Sequence, residues 1–205
     1  MNNSPGQAQA GDDRRPAVLA VLAAGGSRRL GTPKQLVPHR GRPLLATVTA
    51  AACAANVARV AVVLGAHAPE IAPCLSSLDV DVLVNGAWQL GLASSIRCAT
   101  AWAMSRDAAA LVLVSGDQPR LEPAHVDALL AAHRASGRAV ASLYAGVRGV
   151  PALFPRAYFP RLLELHGDTG AAALLRGSDI VDEVPWPAGA FDVDVPADLQ
   201  RLAAL

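Results

Sequence analysis

The chain has 205 residues, 52% of them apolar, and a formal net charge of only +1. That length suits one domain with a substantial core, and the near-neutral charge offers no basic surface for nucleic acid. No apolar run approaches the ~18 residues of a membrane span, which argues against a membrane partner. The opening stretch MNNSPGQAQAGDDRRP lacks the apolar centre of a signal peptide. Its composition predicts a disordered tail over residues 1–16 and a single domain over 17–205. Cys53, Cys74 and Cys98 are widely spaced and form no C-x-x-C pair, so they read as small buried hydrophobes in a reducing, cytoplasmic setting.

In chain order, Ala17 to Leu22 is an apolar run suited to a buried parallel strand. It breaks into Ala23-Ala24-Gly25-Gly26-Ser27, followed by Arg28, Arg29, Gly31, Pro33 and Lys34. Small residues let a backbone turn its N–H groups on an anion, and Arg and Lys add charge for phosphate. Residues 43–55 predict a helix. Strands are expected at 59–64, 80–84, 109–114 and 139–144, with a short helix at 69–75. Ser94 or Ser95 is expected to cap a helix running to about Ser105, and 122–136 reads as a helix stopped by Gly137. Pro151 to Phe154 is expected to pair back as a strand that proline keeps short or at an edge. Residues 157–165 and 170–176 read as helical, 180–184 and 191–195 as short strands, and 196–204 as a terminal helix.

Strands alternating with helices over the first two-thirds predict right-handed βαβ units and a mostly parallel sheet. The expected fold is α/β: Rossmann-like, three-layered, with a small appended substrate-side lobe over about 144–191. Ligands of such sheets lie beyond the carboxyl ends of the strands, at the loops opening at Ala23, Gly65, Asn85 and Ser115.

Asp117 follows the fourth strand directly, where a carboxylate projects into the cleft or, in the plainer reading, bonds its own turn. Asp192 and Asp194 alternate, so in a strand they share one face and can join Asp117 around a hard cation. Alternatively, Asp194 caps the helix opened by Pro196. Oxygen donors without a His or Cys cluster point to Mg²⁺ rather than zinc. In HGDTGAAALL, Asp168 or Thr169 caps a helix whose donors either hold a substrate phosphate or serve capping alone. His67, His125, His133 and His166 lack metal-ligand spacing, and Trp88 and Trp102 read as packing residues. The glycine loop is neither G-x-G-x-x-G nor a Walker pattern, which argues against a dinucleotide oxidoreductase and a P-loop NTPase.

The stretch Leu22-Ala23-Ala24-Gly25-Gly26-Ser27-Arg28-Arg29-Leu30-Gly31-Thr32-Pro33-Lys34-Gln35-Leu36 resembles the signature of the molybdenum cofactor nucleotidyltransferases, in particular their cytidylyltransferase branch. The resemblance continues through Asn85 to Ser95, Asp117-Gln118-Pro119, Gly149 to Phe154, Gly167-Asp168-Thr169-Gly170 and Asp192 to Leu199. It implies a Mg²⁺-dependent enzyme that transfers CMP from CTP to the phosphate of molybdopterin and releases pyrophosphate. A recipient molybdoenzyme or its chaperone is the implied partner.

In that reading Lys34, Arg28 and Asp117 are catalytic. Leu22, Ala23, Ala24, Gly25, Gly26, Ser27, Gly65, Asn85, Gly91, Ser94 and Ser95 bind the nucleotide. Asp117, Asp192 and Asp194 hold the metal, and Gly149, Pro151, Gly167, Asp168 and Gly170 meet the acceptor. Ala24 stands where the guanylyltransferase branch has glycine, and Ala172 where the family often has arginine. Another triphosphate, a sugar-phosphate acceptor or a non-catalytic cofactor carrier are the competing readings.

Overall fold

The computed structural model describes residues 15–176 and 180–205. Most of the expected tail, residues 1–14, lies outside the described residues; Pro16 is already tied to the sheet edge, its carbonyl accepting from the Ala109 amide. The elements follow in the order β1 (Ala17–Ala23), β2 (Pro38–His39), β3 (Arg42–Pro43), α1 (Leu44–Cys53), β4 (Val60–Leu64), α2 (Ala68–Ile71), β5 (Asp81–Val84) and α3 (Leu92–Ser105). Then come β6 (Ala110–Ser115), α4 (Pro123–Ser136), β7 (Ala139–Tyr144), β8 (Val147–Pro155), α5 (Phe159–Leu163), β9 (Val181–Pro185) and α6 (Pro196–Ala203).

Seven strands form one sheet in the order β5-β4-β1-β6-β8-β7-β9. Only β8 runs against the others, pairing antiparallel with both β6 and β7. The expected α/β architecture is therefore present. Both faces are apolar, and the side-chain period of two explains how one strand serves both. Leu19 and Val21 of β1 pack with Leu45 and Val48 of α1 and Leu129 of α4 on one face. Val18 and Ala20 pack with Ile96 and Ala99 of α3 and Leu162 of α5 on the other. Each fully buried Leu or Val contributes about 1.5–3 kcal/mol, and β6, the middle strand, buries an unbroken run of them from Leu111 to Val114.

The span that breaks the βαβ alternation does two things. It feeds β8 and β9 into the main sheet, and of its remainder α5 packs into the core while the turns of residues 168–176 cover one side of the cleft. Proline does not confine β8 to an edge. Pro151 falls beside the register shift at Ala141/Ser142, and the pairing with β6 starts only at Ala152, so no ladder amide is required of it.

Residues 191–195 do not form a strand of the sheet. Phe191 and Val195 have extended backbone, and one bond, Val193 N–H to the Asp117 carbonyl at 3.1 Å, ties the segment down. Alternation survives without the ladder: Phe191 and Val193 are buried and Asp192 and Asp194 face outward. Helix α3 begins at Leu92 after Gly91, so neither serine caps it; Ser94 Oγ instead donates to the Gly91 carbonyl. Cys53 is exposed and Cys74 and Cys98 only half-buried, not the buried hydrophobes expected. No helix among the described residues is long and apolar enough to cross a membrane.

Candidate active site

Parallel registry brings the ends of β1, β4, β5 and β6 level: Ala23 lies opposite Leu64, Leu64 opposite Val84, and Leu22 opposite Ser115. A cleft of about 630 Å³ opens at that edge, and the β7–β8 hairpin and the turns of residues 168–176 close its far side.

The loop after β1 is fixed by a residue further along the chain. Gln35, in a one-turn 3₁₀ helix (Lys34–Leu36), is buried and donates through Nε2 to the carbonyls of Ala23 at 2.8 Å and Gly25 at 3.0 Å. Ser27 takes a left-handed φ of 50° and its Oγ accepts the Lys34 amide at 3.0 Å. The loop therefore closes on itself and delivers Lys34 to the cleft. Nothing lies within 4 Å of where a Gly25 side chain would start, so packing does not demand glycine there; its absence of bulk keeps the cleft open.

Lys34 Nζ donates to Asp117 Oδ2 at 2.5 Å and to Asp194 Oδ1 at 2.8 Å, with side-chain exposures of 19%, 14% and 30% for the three groups. Asp117 is steadied by a bond from Ser115 Oγ at its other oxygen, and Asp194 by Arg29 at 2.9 Å. Burial by itself pulls the Lys34 ammonium down. The field of Asp117 and hydrogen bonds to both carboxylates outweigh it and hold Lys34 above its usual range. Asp194 is held below the ordinary carboxylate range, first by the hydrogen bond from Lys34 and, against burial, by the charges of Lys34 and Arg29. Asp192 is pushed up by burial and by the like charges of Asp117 and Asp194.

Asp194 does not cap the last helix. Asp198 Oδ2 accepts the amides of both Asp194 and Val195 at 3.0 Å, which leaves the Asp194 side chain to Lys34 and Arg29. Phe191, just upstream, is covered by the Arg201 and Arg120 guanidinium groups at 4.4 and 5.6 Å from its ring centre. Asp192 opens onto an adjoining hollow of about 340 Å³ with Gln118 and Tyr144. Among the described residues no three His, Cys, Asp or Glu side chains are gathered closely enough to hold a metal ion. The donor chemistry nonetheless fits a hard divalent cation: the place between Asp117 and Asp194 consists of carboxylate oxygens and already takes a positive charge.

Of the remaining predicted residues, Leu22, Ala23, Ala24, Gly25, Gly26, Arg28, Gly91, Ser95, Gly149, Asp168 and Gly170 line the cleft. Asn85, Ser94, Gly65, Pro151 and Gly167 stand behind it. Asn85 Nδ2 donates to Ser94 Oγ and Ser95 Oγ at 2.8 and 3.1 Å, and Gly65 lies against Ala24 and Trp88. Gly167 fastens the two rims together, its carbonyl accepting the Ala93 amide of the first turn of α3 at 3.0 Å. Gly91 must be glycine: its φ is +95° and a Cβ would stand 2.4 Å from the Gly167 backbone. Asp168 and Thr169 supply no side-chain cap, since Gly170 precedes a single 3₁₀ turn.

Sequence reasoning overlooked Gln35, Tyr144, Arg148 and Arg176, and took Arg29 as charge for phosphate where it bonds Asp194. Arg148 and Arg176 line the cleft beside Ala172, and Arg148 also bonds Glu183 Oε1 at 2.7 Å and the Leu175 carbonyl at 2.8 Å. Trp88, read as packing, also faces the cleft.

Comparison with known proteins agrees with this architecture. The chain is similar to nicotine blue oxidoreductase of Paenarthrobacter nicotinovorans, 32% identical over 206 residues covering 94% of this chain and 99% of that protein. That name denotes a reaction outside nucleotidyl transfer. Among solved structures it resembles Rv0371c of Mycobacterium tuberculosis H37Rv, with a TM-score of 0.82 and 33% identity over 93% of this chain and 98% of that one. A manganese complex of Rv0371c superposes with a TM-score of 0.75 at 30% identity, covering 91% and 97% of the two chains. Molybdopterin-guanine dinucleotide biosynthesis protein A of Archaeoglobus fulgidus shares the fold, with a TM-score of 0.67 at 19% identity over 90% and 96% of the two chains. The family described as the MobA-like NTP transferase domain matches residues 19–184. The chain belongs to that family, and with it to the nucleotidyltransferase-type enzymes.

Proposed function

We propose that this protein transfers CMP from CTP to the phosphate of molybdopterin, releasing pyrophosphate, with Mg²⁺ as the physiological cation. The observation that carries the reading is Lys34, held by Asp117 and Asp194 at the carboxyl end of a sheet whose first loop lines the cleft with Ala24, Gly25 and Gly26. The peptide N–H groups of Ala24 to Ser27, with Arg28, hold the β- and γ-phosphates. Lys34 neutralises the α-phosphate while an acceptor phosphate oxygen forms the new P–O bond and the α–β bridge breaks towards pyrophosphate. Asp117 and Asp194 would hold Mg²⁺, which would supply charge neutralisation for the phosphates, while Asp192 in the adjoining hollow adds its negative field to the pair. A phosphate nucleophile is ionised near neutral pH, so the absence of a histidine from the cleft lining agrees with this chemistry.

Arg148 and Arg176 supply cationic charge at the acceptor end, where Ala172 has none, and Gly149, Asp168 and Gly170 shape that end. Ala24 sets the preference for a pyrimidine. The product passes to a recipient molybdoenzyme or its chaperone.

The test is a thermal-shift series with CTP, GTP, ATP and UTP, each with and without Mg²⁺. A ligand at 100 times its dissociation constant adds about 2.7 kcal/mol. Stabilisation by CTP above GTP, followed by pyrophosphate release with molybdopterin, is the expected result. Preference for another triphosphate, or turnover with a sugar phosphate, replaces the named substrates. Kinship to a protein named for an oxidoreductase activity calls for one more arm: stabilisation by a nicotinamide dinucleotide and by no triphosphate overturns the reading.

A further inference from the structure

We propose that Lys34 is a built-in occupant of the cation place: its ammonium fills the position between Asp117 and Asp194 and excludes a divalent ion until a triphosphate draws it away. The exclusion of metal by Lys34 stands on its own geometry, and its release rests on the reading above, which supplies the triphosphate. Three observations carry it.

First, Lys34 touches both carboxylates, at 2.5 and 2.8 Å, so no divalent ion fits between them while it stays. Second, the lysine is aimed rather than merely attracted. Its amide is fixed to Ser27 Oγ, and the next residue, Gln35, is locked to the loop carbonyls. Third, each carboxylate has a second partner at its other oxygen, Ser115 on Asp117 and the exposed Arg29 on Asp194, so neither is left unpartnered when the ammonium leaves. The same nitrogen is within one flexible side chain of the loop where phosphates would lie. A triphosphate can therefore compete for Lys34 with its own negative charge, and the site it vacates is the one a divalent ion needs. Nucleotide binding thus comes first and metal second, and the free protein is protected from idle metal capture.

The experiment titrates Mn²⁺ into the whole protein without nucleotide, by calorimetry and by the loss of the free-ion electron-resonance signal. It compares the wild type with Lys34→Met, Lys34→Gln and the double variant Lys34→Gln/Asp117→Asn. Thermal melts select the Lys34 variant that keeps the wild-type fold, and either suffices. Removing a positive charge at contact distance is expected to tighten Mn²⁺ at least ~10-fold, and adding Asp117→Asn is expected to remove that gain. Equal affinity for Mn²⁺ in the wild type and the Lys34 variants overturns the proposal, as does a gain that survives loss of Asp117. A melt series in EDTA reads the other half: CTP is expected to stabilise the wild type without metal and to lose most of that effect in Lys34→Gln. If the Mn²⁺ gain appears and no triphosphate binds, the exclusion of metal by Lys34 stands and the nucleotide reading falls.

Discussion

On one side of the cleft, the loop after β1 is set by two nearby side chains: Gln35 reaches back across 10 and 12 residues to two carbonyls, and Ser27 accepts the Lys34 amide. The opposite wall, from Tyr144 to Arg176, is held by distributed contacts. Tyr144 Oη and Gln118 Nε2 both donate to the Val150 carbonyl, and Trp186 stacks on His125 at 4.7 Å. The first wall is a rigid cradle built on parallel strands. The second is assembled around the single antiparallel strand, β8, from pieces distant in sequence. A substrate group common to many reactions suits the first, and a group particular to one reaction suits the second. That division agrees with a chain of an NTP transferase family that is also similar to a protein named for an oxidoreductase activity.

The largest effect is expected where the cradle meets the carboxylates. Lys34→Ala and Asp117→Asn should each lose ~10²–10³ in turnover while keeping the fold, because each removes a preorganised charge. Steady-state pyrophosphate release checks this, and wild-type turnover in a folded Asp117 variant would remove that residue from the mechanism.

The far wall should answer to pH instead. His125 is buried against Ser142 and Trp186, and burial lowers it from 6.5 to about 4. Its folded value lies below its unfolded one, so the stability it supplies is complete above pH 6.5 and drains away as pH falls towards 4. That interval corresponds to about 3 kcal/mol at 1.36 kcal/mol per pH unit. Burial lowers His39 as well, and it adds in the same sense. Denaturant melts from pH 7 to 4 should show the loss, and a folded His125→Gln variant should flatten it.

Gly91→Ala attacks the seam between the walls. With φ at +95° and a Cβ 2.4 Å from the Gly167 backbone, the cost is about 2–3 kcal/mol, readable as a shifted urea midpoint. Gln35→Ala should cost ~1–3 kcal/mol by stranding the Ala23 and Gly25 carbonyls. Its triphosphate affinity should fall more than its affinity for an acceptor analogue, which sets the two walls apart. The smallest change is expected from Ala24→Gly, a few-fold relaxation of base preference measured by competing CTP and GTP. An unchanged ratio would clear Ala24 of that role.

How much of this was legible follows the same division. Continuous apolar runs ending in small residues announced β1, β4 and β6, and Asp117 just after β6 marked the carboxyl edge. The far wall hid its geometry. Pro151 argued for an edge strand, yet a register shift lets β8 run through the sheet, and a bulge has no spacing signal of its own. Alternation at Phe191 to Val195 suggested a strand, but the segment is held by one backbone bond to Asp117, by Lys34 and Arg29 on Asp194, and by two arginines over the Phe191 ring. Its alternation reports a buried side and an open side, which is all that a period of two guarantees. Gln35 could have been noticed as a polar residue between Lys34 and Leu36 inside an otherwise loop-like run; its length is what lets it reach two carbonyls. Arg29 and Asp198 act across the fold or through the backbone, and no local pattern distinguishes them from solvated charges.

The bond from the Ala93 amide to the Gly167 carbonyl joins the two rims behind the cleft. Separating the rims cannot leave it intact, so the exchange rate of that one proton with solvent is a clock for opening. In the free protein it should run at the pace of the mouth's own excursions. With a substrate bridging both walls it should slow by the factor that binding costs the open state. A single amide can thus time an event that neither wall registers alone.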